Sequence, residues 1–230
     1  MTSVFAAVDL FTTYRAELSF QNRIIGGIPK DPKVIEAWLR TKITVNNDEE
    51  YIQMAKRTME ELGYTGLTGE NFEDMEKVSA EMAAVKHCVG FKRDDHGLYI
   101  EARQVKAMLK ECTNILFAGT KMGITKKGAK SFLAERVFVE PDKIYLGVTE
   151  PTGIDTVIGH VSGPRGPQST LAYVEYVDKP VITFDVMAAK DCIPDDMWGQ
   201  VWVLGEKNGL GAMRSQNHGH FEVTKWSKVG

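Results

Sequence analysis

The residues best suited to chemistry lie near the C-terminus, in a glycine-rich segment between an expected helix and an expected strand. Its glycines let backbone N–H groups approach a phosphate without a Cβ in the way. The Arg214 guanidinium can donate two hydrogen bonds to one anion, and Ser215 and Gln216 add neutral donors. His218 and His220 alternate along an extended chain and so point to the same side. The segment predicts an anion site formed by Gly209, Gly211, Arg214, Ser215, Gln216, His218 and His220.

The same glycines have a simpler interpretation. They can serve only close packing between the helix and the strand, with Arg214 held in a structural ion pair. Glycine-rich loops that carry an arginine are common, so the sequence leaves both interpretations open.

A second basic cluster lies on a helix that we expect over residues 101–117. Arg103, Lys106 and Lys110 are spaced three and four residues apart, so they project from one helix face. Such a face contacts the phosphates of a nucleic acid rather than its bases. The alternative is a solvated face that pairs with acidic helices. A following loop extends the cluster with Lys121, Lys126, Lys127 and Lys130.

Arg165 lies between two prolines in segment 162–169, which we expect to be an irregular loop. It is a candidate for a finger that inserts into nucleic acid or a neighbouring subunit. The alternative is a plain connector.

A catalytic interpretation rests on weak patterns. The candidate metal ligands are His218, His220, His160 and Glu222, in which an H-x-H pair is followed by a carboxylate. The sequence contains no G-x-S-x-G, H-E-x-x-H or Walker A motif. We expect no cofactor and lean against an enzyme.

Length and composition indicate an ordinary globular chain. It has 230 residues, of which 43% are hydrophobic and 26% charged, enough for one large domain or two small ones. No stretch approaches the ~20 apolar residues of a membrane span, and Met1 to Leu10 lacks the pattern of a secretory signal. A cytoplasmic protein without membrane association is expected. Three scattered cysteines, Cys88, Cys112 and Cys192, favour buried thiols over disulfides or zinc.

The formal net charge of -3 conceals opposing segments. Residues 46–85 carry ten acidic and three basic side chains, and residues 144–205 carry eight and three. Residues 86–143 reverse the balance with twelve basic and seven acidic side chains. The total therefore argues against a general nucleic-acid coat but leaves room for a local basic surface.

These side chains need a scaffold, and the order of expected elements predicts an α+β fold with a largely antiparallel sheet. We expect an α+β core from residues 1–45 and 86–230, with residues 46–85 as an acidic helical insertion. The elements expected outside the insertion are a strand over 11–20, a helix from Asp31, a strand over 97–100, strands within 132–148, a hairpin of 170–176 with 181–186, a helix from about 193 to 204, and a strand over 221–224.

The glycine-rich segment resembles the C-terminal loop of the RAMP superfamily, the ferredoxin-like RNA-binding proteins of CRISPR systems. That loop commonly reads Gly-Leu-Gly, a spacer, Arg-Ser-Gln or similar, Gly-aromatic-Gly and Phe. A second likeness lies in Leu98 to Leu109, where a strand enters a helix with Lys106 and Lys110 at family positions. The resemblance implies a ferredoxin-like or RRM-like antiparallel sheet with helices on one face. The matching loop residues are Gly209, Gly211, Arg214, Ser215, Gln216, Gly219 and Phe221.

The departures from the family pattern favour a non-cleaving member. Asn217-His218-Gly219 replaces Gly-aromatic-Gly, and His220 stands at the usual basic position. RNA-cleaving members generally use a histidine early in the chain, whereas the first histidine here is His87.

We therefore expect a non-catalytic protein that binds the backbone of single-stranded RNA or DNA, with self-association as a repeated subunit. Two alternatives stay open. One is a homo-oligomeric assembly protein of the same fold that binds no nucleic acid. The other is a metal-dependent nuclease that uses His218 and His220.

Overall fold

The computed structural model describes residues 9–29, 88–118, 132–163, 166–190 and 192–229. Within these ranges the helices are α1 (Ala102–Leu116) and α2 (Asp195–Asn208). The strands are β1 (Phe11–Phe20), β2 (Arg23–Ile25), β3 (Ile28–Pro29), β4 (Cys88–Gly90), β5 (Lys92–Asp94), β6 (Gly97–Glu101), β7 (Val137–Glu140), β8 (Lys143–Tyr145), β9 (Gly153–Gly163), β10 (Gly166–Asp178), β11 (Val181–Ala189) and β12 (Phe221–Val229). The fold is mixed α and β with largely antiparallel pairing, as the sequence predicts.

The chain divides into two compact units. The first comprises residues 1–24, 99–147 and 178–230, and the second comprises residues 25–98 and 148–177. The acidic insertion expected over 46–85 lies outside the described residues, as do the helix expected from Asp31 and the loop lysines between 121 and 130. These stay predictions. No helix in the described ranges is long and apolar enough to cross a membrane.

A four-stranded antiparallel sheet forms the first unit, in the order β12-β1-β11-β7. Tyr14, Ala16 and Leu18 on β1 are buried, whereas Arg15 between them is exposed. A strand's side-chain period of two therefore turns one face of the sheet toward a core and the other outward. The strand predicted over 11–20 is confirmed.

Both helices contribute to that core. On α1, Val105 and Met108 are buried, and on α2, Trp198 and Trp202 are buried. A Cβ added at Gly205 would lie 2.8 Å from the Met108 sulfur, so glycine lets α2 approach α1 closely. The predicted helix over 101–117 is confirmed, whereas α2 runs past its predicted end to Asn208.

The segment 132–148 contains the two strands that the sequence predicts, β7 and β8, on either side of a turn. They belong to different sheets, because β7 pairs with β11 and β8 pairs with β6. In the first unit, Tyr99 of β6 lies opposite Tyr145 of β8 with ring centroids 5.8 Å apart. The sequence predicts both strands, but it does not predict that they belong to different sheets.

In the second unit, β9 and β10 form a long antiparallel hairpin. The expectation of an irregular loop over 162–169 is wrong, because Ser162 lies opposite Pro167 in the ladder and the strands continue to Gly163 and from Gly166. Pro167, the second residue of β10, takes its place in this ladder although proline has no backbone N–H to donate. Arg165 lies outside the described residues.

The predicted hairpin of 170–176 with 181–186 is also wrong. Both strands exist, but β10 pairs with β9 and β4, whereas β11 pairs with β1 and β7. Lys179 between them takes a left-handed φ of 44°. Apolar alternation predicts a strand, but it does not specify the partner of that strand.

A buried carboxylate anchors the second unit. Glu175 on β10 is 6% exposed, and it accepts hydrogen bonds from Arg93 Nη2 at 3.0 Å and from the Phe91 N–H at 3.1 Å. Arg93 also donates to the exposed Glu150 at 3.0 Å through Nη1. Charge neutralisation and these bonds offset the desolvation of Glu175.

Candidate nucleic-acid interface

Two glycines close the base of the segment between α2 and β12, which we call the glycine-rich loop (residues 209–220). Gly209 and Gly219 have left-handed φ values of 74° and 77°. An added Cβ would lie 2.8 Å from His218 O at Gly209 and 1.9 Å from Leu210 O at Gly219. The Leu210 N–H donates to Gly219 O at 2.9 Å. Glycine is therefore required at both positions by backbone angle and by space.

The tip of the loop is a single 3-10 turn over Arg214–Gln216. Met213 and Asn217, which flank it, both adopt left-handed backbone angles. The Gln216 N–H donates to Met213 O at 2.9 Å, and the Asn217 N–H donates to Arg214 O at 3.1 Å. Ser215 and Gln216 are exposed at this tip, so their side chains can reach a ligand.

Asn22, in the turn after β1, fixes the far side of the loop. Its Nδ2 donates to Asn217 O at 2.7 Å, and its Oδ1 accepts from the His220 N–H at 3.0 Å. The Gly219 N–H donates to Arg23 O at 2.9 Å. The loop is thus positioned by the end of the central strand of the sheet.

Many backbone N–H groups of the loop already donate hydrogen bonds within the protein. Six of its N–H groups donate within the protein, and they belong to Gly209, Leu210, Gln216, Asn217, Gly219 and His220. This pattern matches the packing interpretation of the glycines. An anion at the loop is therefore better served by side-chain donors than by the glycine N–H groups.

Arg214 joins the loop to α1. Its Nη1 donates to Glu111 Oε2 at 2.8 Å, with the Arg214 side chain 35% exposed and that of Glu111 44% exposed. This is the structural ion pair of the packing interpretation. The pair is half-exposed, so it contributes only about 0–1 kcal/mol to stability and can be exchanged for another anion. Through Glu111, the ion pair joins the glycine-rich loop to the helix that carries the second predicted basic cluster.

The basic face of α1 is present, but its members differ in environment. Arg103 donates to Glu101 at 2.6 Å, and Lys110 is exposed. The Lys106 ammonium lies 4.7 Å from the centroid of the Phe138 ring on β7. Burial first, and then the neighbouring Lys110, lower the pKa of Lys106. The exposed cations of this face are Arg103, which is paired with Glu101, and Lys110.

Next to this face, α1 carries a buried thiol. Cys112 is fully buried, and its sulfur lies 3.7 Å from Asn208 Nδ2 at the end of α2. Burial, followed by the charge of Glu111, raises the pKa of Cys112 to about 11. Cys112 and Cys192 are both buried, as the sequence predicts for packed thiols.

The predicted histidine pair lies at the end of the loop, where His218 and His220 are partly buried. The proposed fellow ligand Glu222 accepts from Gln21 Nε2 at 2.5 Å. Among the described residues, no three His, Cys, Asp or Glu side chains lie together as a metal site would require. No observation here favours the metal-dependent nuclease over the binding hypothesis.

Sequence reasoning missed two residues that shape this surface. Asn22 holds the loop from far along the chain, and no local pattern marks such a contact. Glu111 is 103 positions from Arg214, so the sequence allows an ion pair for this arginine without identifying its acidic partner.

Comparison with known proteins leaves the family unassigned. No protein-family model matches the chain, and no curated protein matches it. Among solved structures, the Type III-B Cmr-beta complex bound to cognate target RNA contains a chain with 12% identity and a TM-score of 0.44; the alignment covers 96% of this chain and 61% of that one. Cmr6 from Pyrococcus furiosus shares 12% identity at a TM-score of 0.34, covering 97% of this chain and 100% of Cmr6. This chain thus spans about three-fifths of the first neighbour's length.

Proposed function

We propose that this chain is a non-catalytic, RAMP-like protein that binds the backbone of single-stranded nucleic acid, RNA in the first place, as a repeated subunit. The glycine-rich loop and the basic face of α1 form its binding surface. Arg214, Ser215, Gln216, Lys106 and Lys110 supply the donors.

A ferredoxin-like core is part of the proposal, and strand order supports it. In chain order the strands of the four-stranded sheet are β1, β7, β11 and β12. Numbered 1 to 4 in that order, they lie across the sheet as 4-1-3-2. A helix, α1, precedes β7, and α2 connects β11 to β12. The ferredoxin-like arrangement is β-α-β-β-α-β, and this sequence of elements agrees with it.

The observation that carries the binding proposal is the convergence of loop and helix at Glu111. Arg214 reaches Glu111 from the loop, and Lys110 precedes Glu111 on α1. The Glu111 carboxylate occupies the place beside Arg214 that a phosphate oxygen would take. A backbone phosphodiester carries one negative charge on two non-bridging oxygens, as a carboxylate does, so it can take the place of Glu111 in an exposed pair.

The donor set favours backbone over base recognition. Arginine, lysine, serine and glutamine contact phosphates irrespective of sequence, and a row of such contacts gives salt-sensitive affinity. We therefore expect little sequence preference.

The test is fluorescence anisotropy with a labelled single strand of RNA, the same sequence as DNA, and the matching duplex. The expected result is binding of the single strands, with RNA at least as tight as DNA, and an affinity that falls steeply between about 50 and 200 mM salt. Failure of any single strand to bind at low salt would refute the proposal. Shortening of the strand during incubation would contradict the non-catalytic part.

Light scattering on the same samples tests the repeated subunit. The expected result is a mass that rises with the length of bound RNA. A strict monomer, with RNA and without it, would contradict self-association.

A further inference from the structure

A cleft of about 330 Å³ lies in the first unit at the start of α2, where β1, β11 and β12 meet the helix. This volume is at the lower end of the ~300–1,000 Å³ range of small-ligand sites. One wall is apolar and includes Ile193 and Pro194. The polar side chains that line it are Thr12, Tyr14, Lys190, Asp195 and Lys228.

The polar wall is organised around one carboxylate. Asp195 Oδ1 accepts from the Tyr14 hydroxyl at 2.8 Å, and Asp195 Oδ2 accepts from Lys228 Nζ at 2.7 Å. Lys190 forms an ion pair with Asp9, which does not line the cleft. The Tyr14 ring stacks on Trp226 with centroids 4.5 Å apart and an interplanar angle of 3°. Tyr14 is therefore held rigidly, and its hydroxyl faces a fixed position.

The charge balance of the lining favours an anion. Two ammonium groups, from Lys190 and Lys228, face a single carboxylate, from Asp195. The N-terminus of α2 adds a partial positive charge at the same place, and Asp195 and Asp196 lie in its first turn. The ion pairs of both lysines are largely exposed, so a competing anion can displace the carboxylates at little cost.

The geometry points to a second site, a cleft that binds a phosphate monoester. Lys190 and Lys228 hold the phosphate oxygens, and the Thr12 hydroxyl donates to them. The apolar wall covers the organic part of the ligand. A nucleoside 5′-monophosphate and the phosphorylated end of a nucleic-acid strand share this chemistry.

This site is separate from the glycine-rich loop. The cleft lies at the N-terminal end of α2 and the loop follows its C-terminal end, and 14 residues of helix separate the two by about 20 Å. The inference therefore goes beyond the proposed function, and either site can fail without the other.

Intrinsic fluorescence gives a direct readout, because Trp226 stacks on Tyr14 and Trp198 lies 5.8 Å from the same ring. The full chain is titrated with adenosine 5′-monophosphate, adenosine and inorganic phosphate, with isothermal calorimetry in parallel. The monophosphate is expected to change the tryptophan emission and release heat at submillimolar concentration, whereas adenosine binds at least about tenfold more weakly.

A Lys190→Ala/Lys228→Ala double variant is expected to weaken monophosphate binding by at least about tenfold. The matched control is Lys179→Asn/Lys225→Ala, which removes two exposed lysines elsewhere in the unit; asparagine suits the left-handed angle at position 179. The control should bind like the parent. If the double variant is unstable, the single variant Lys190→Ala keeps the test valid, because the partner of Lys190, Asp9, is exposed.

Strands with a 5′-phosphate or a 5′-hydroxyl identify the source of the ligand. If the phosphorylated strand binds more tightly and the double variant removes the difference, the strand end is the ligand. If only the monophosphate depends on the two lysines, a free nucleotide is the ligand. Equal affinity for adenosine and its monophosphate, or unchanged binding by the double variant, would overturn the inference.

Discussion

Arg214 Nη1 lies 2.8 Å from Glu111 Oε2, and this one contact joins the glycine-rich loop to helix α1. Both side chains are more than a third exposed, so the pair is open to solvent and to competing ions. This contact is the structural ion pair that one interpretation of the sequence gives to Arg214.

Removing Arg214 tests the nucleic-acid role directly. Arg214→Ala is expected to weaken binding of single-stranded RNA about tenfold and to reduce the slope of log affinity against log salt by about 1. The free energy of unfolding should change by less than about 1 kcal/mol, because the ion pair is exposed. Anisotropy titrations at several salt concentrations and urea unfolding measure the two quantities.

The matched control for Arg214 is its partner. Glu111→Gln removes the internal competitor and leaves the arginine, so RNA binding should tighten about two- to fivefold. Weaker binding by Glu111→Gln would show that the carboxylate positions Arg214 rather than competes with the strand.

The helix face gives a second prediction. Lys106→Ala/Lys110→Ala is expected to reduce the salt slope by up to about 2, with Lys110 contributing more because Lys106 is partly buried against Phe138. Single variants measured by anisotropy separate the two. Lys179→Asn/Lys225→Ala removes the same charge elsewhere, and an equal loss in that variant would mean that total charge, not this face, governs affinity.

The sequence predicts local structure well where one pattern dominates. The alternation in β1 and the apolar spacing of α1 predict both elements, and the glycines at 209 and 219 predict a tight loop between α2 and β12. The pairing of strands is harder to predict from the sequence, because the partner of a strand depends on residues far away in the chain. Thus β10 and β11 read as a hairpin but belong to different sheets. Asn22 and Glu111 were missed for the same reason, since their contacts join residues more than 100 positions apart.

Gly219 gives a prediction about stability. Gly219→Ala should destabilise the protein by at least about 2 kcal/mol, because φ is 77° and the new Cβ would lie 1.9 Å from Leu210 O. Gly199→Ala in α2 is the control, since nothing lies within 4 Å of its added Cβ, and it should stabilise by about 0.5–1 kcal/mol. Urea unfolding compares them. A tolerated Gly219→Ala would disprove the closed base of the loop.

Among the described residues of the second unit, Arg93 is expected to contribute strongly to stability. Arg93→Ala removes the guanidinium that neutralises the buried Glu175 carboxylate and should cost about 3–5 kcal/mol. Glu150→Ala removes the other, 73% exposed partner of Arg93 and should cost less than about 1 kcal/mol. Thermal and urea unfolding measure both. Similar losses in the two variants would mean that Glu175 is not uniquely dependent on Arg93.

Tyr14 predicts how stability changes at alkaline pH. Burial first, and then the hydrogen bond to Asp195, raise the pKa of Tyr14 from 10.0 to about 12. Between these values the unfolded chain has lost this proton and the folded chain retains it, so the Tyr14 contribution to stability is complete below pH 10 and disappears as pH rises to about 12. Tyr14→Phe lacks this titration, so its unfolding free energy should fall less than that of the parent over the same interval. Urea unfolding at a series of pH values gives both curves, with Tyr145→Phe as a control for loss of any one tyrosine. Parallel curves for the parent and Tyr14→Phe would show that the hydroxyl titrates normally and that its bond to Asp195 is weak.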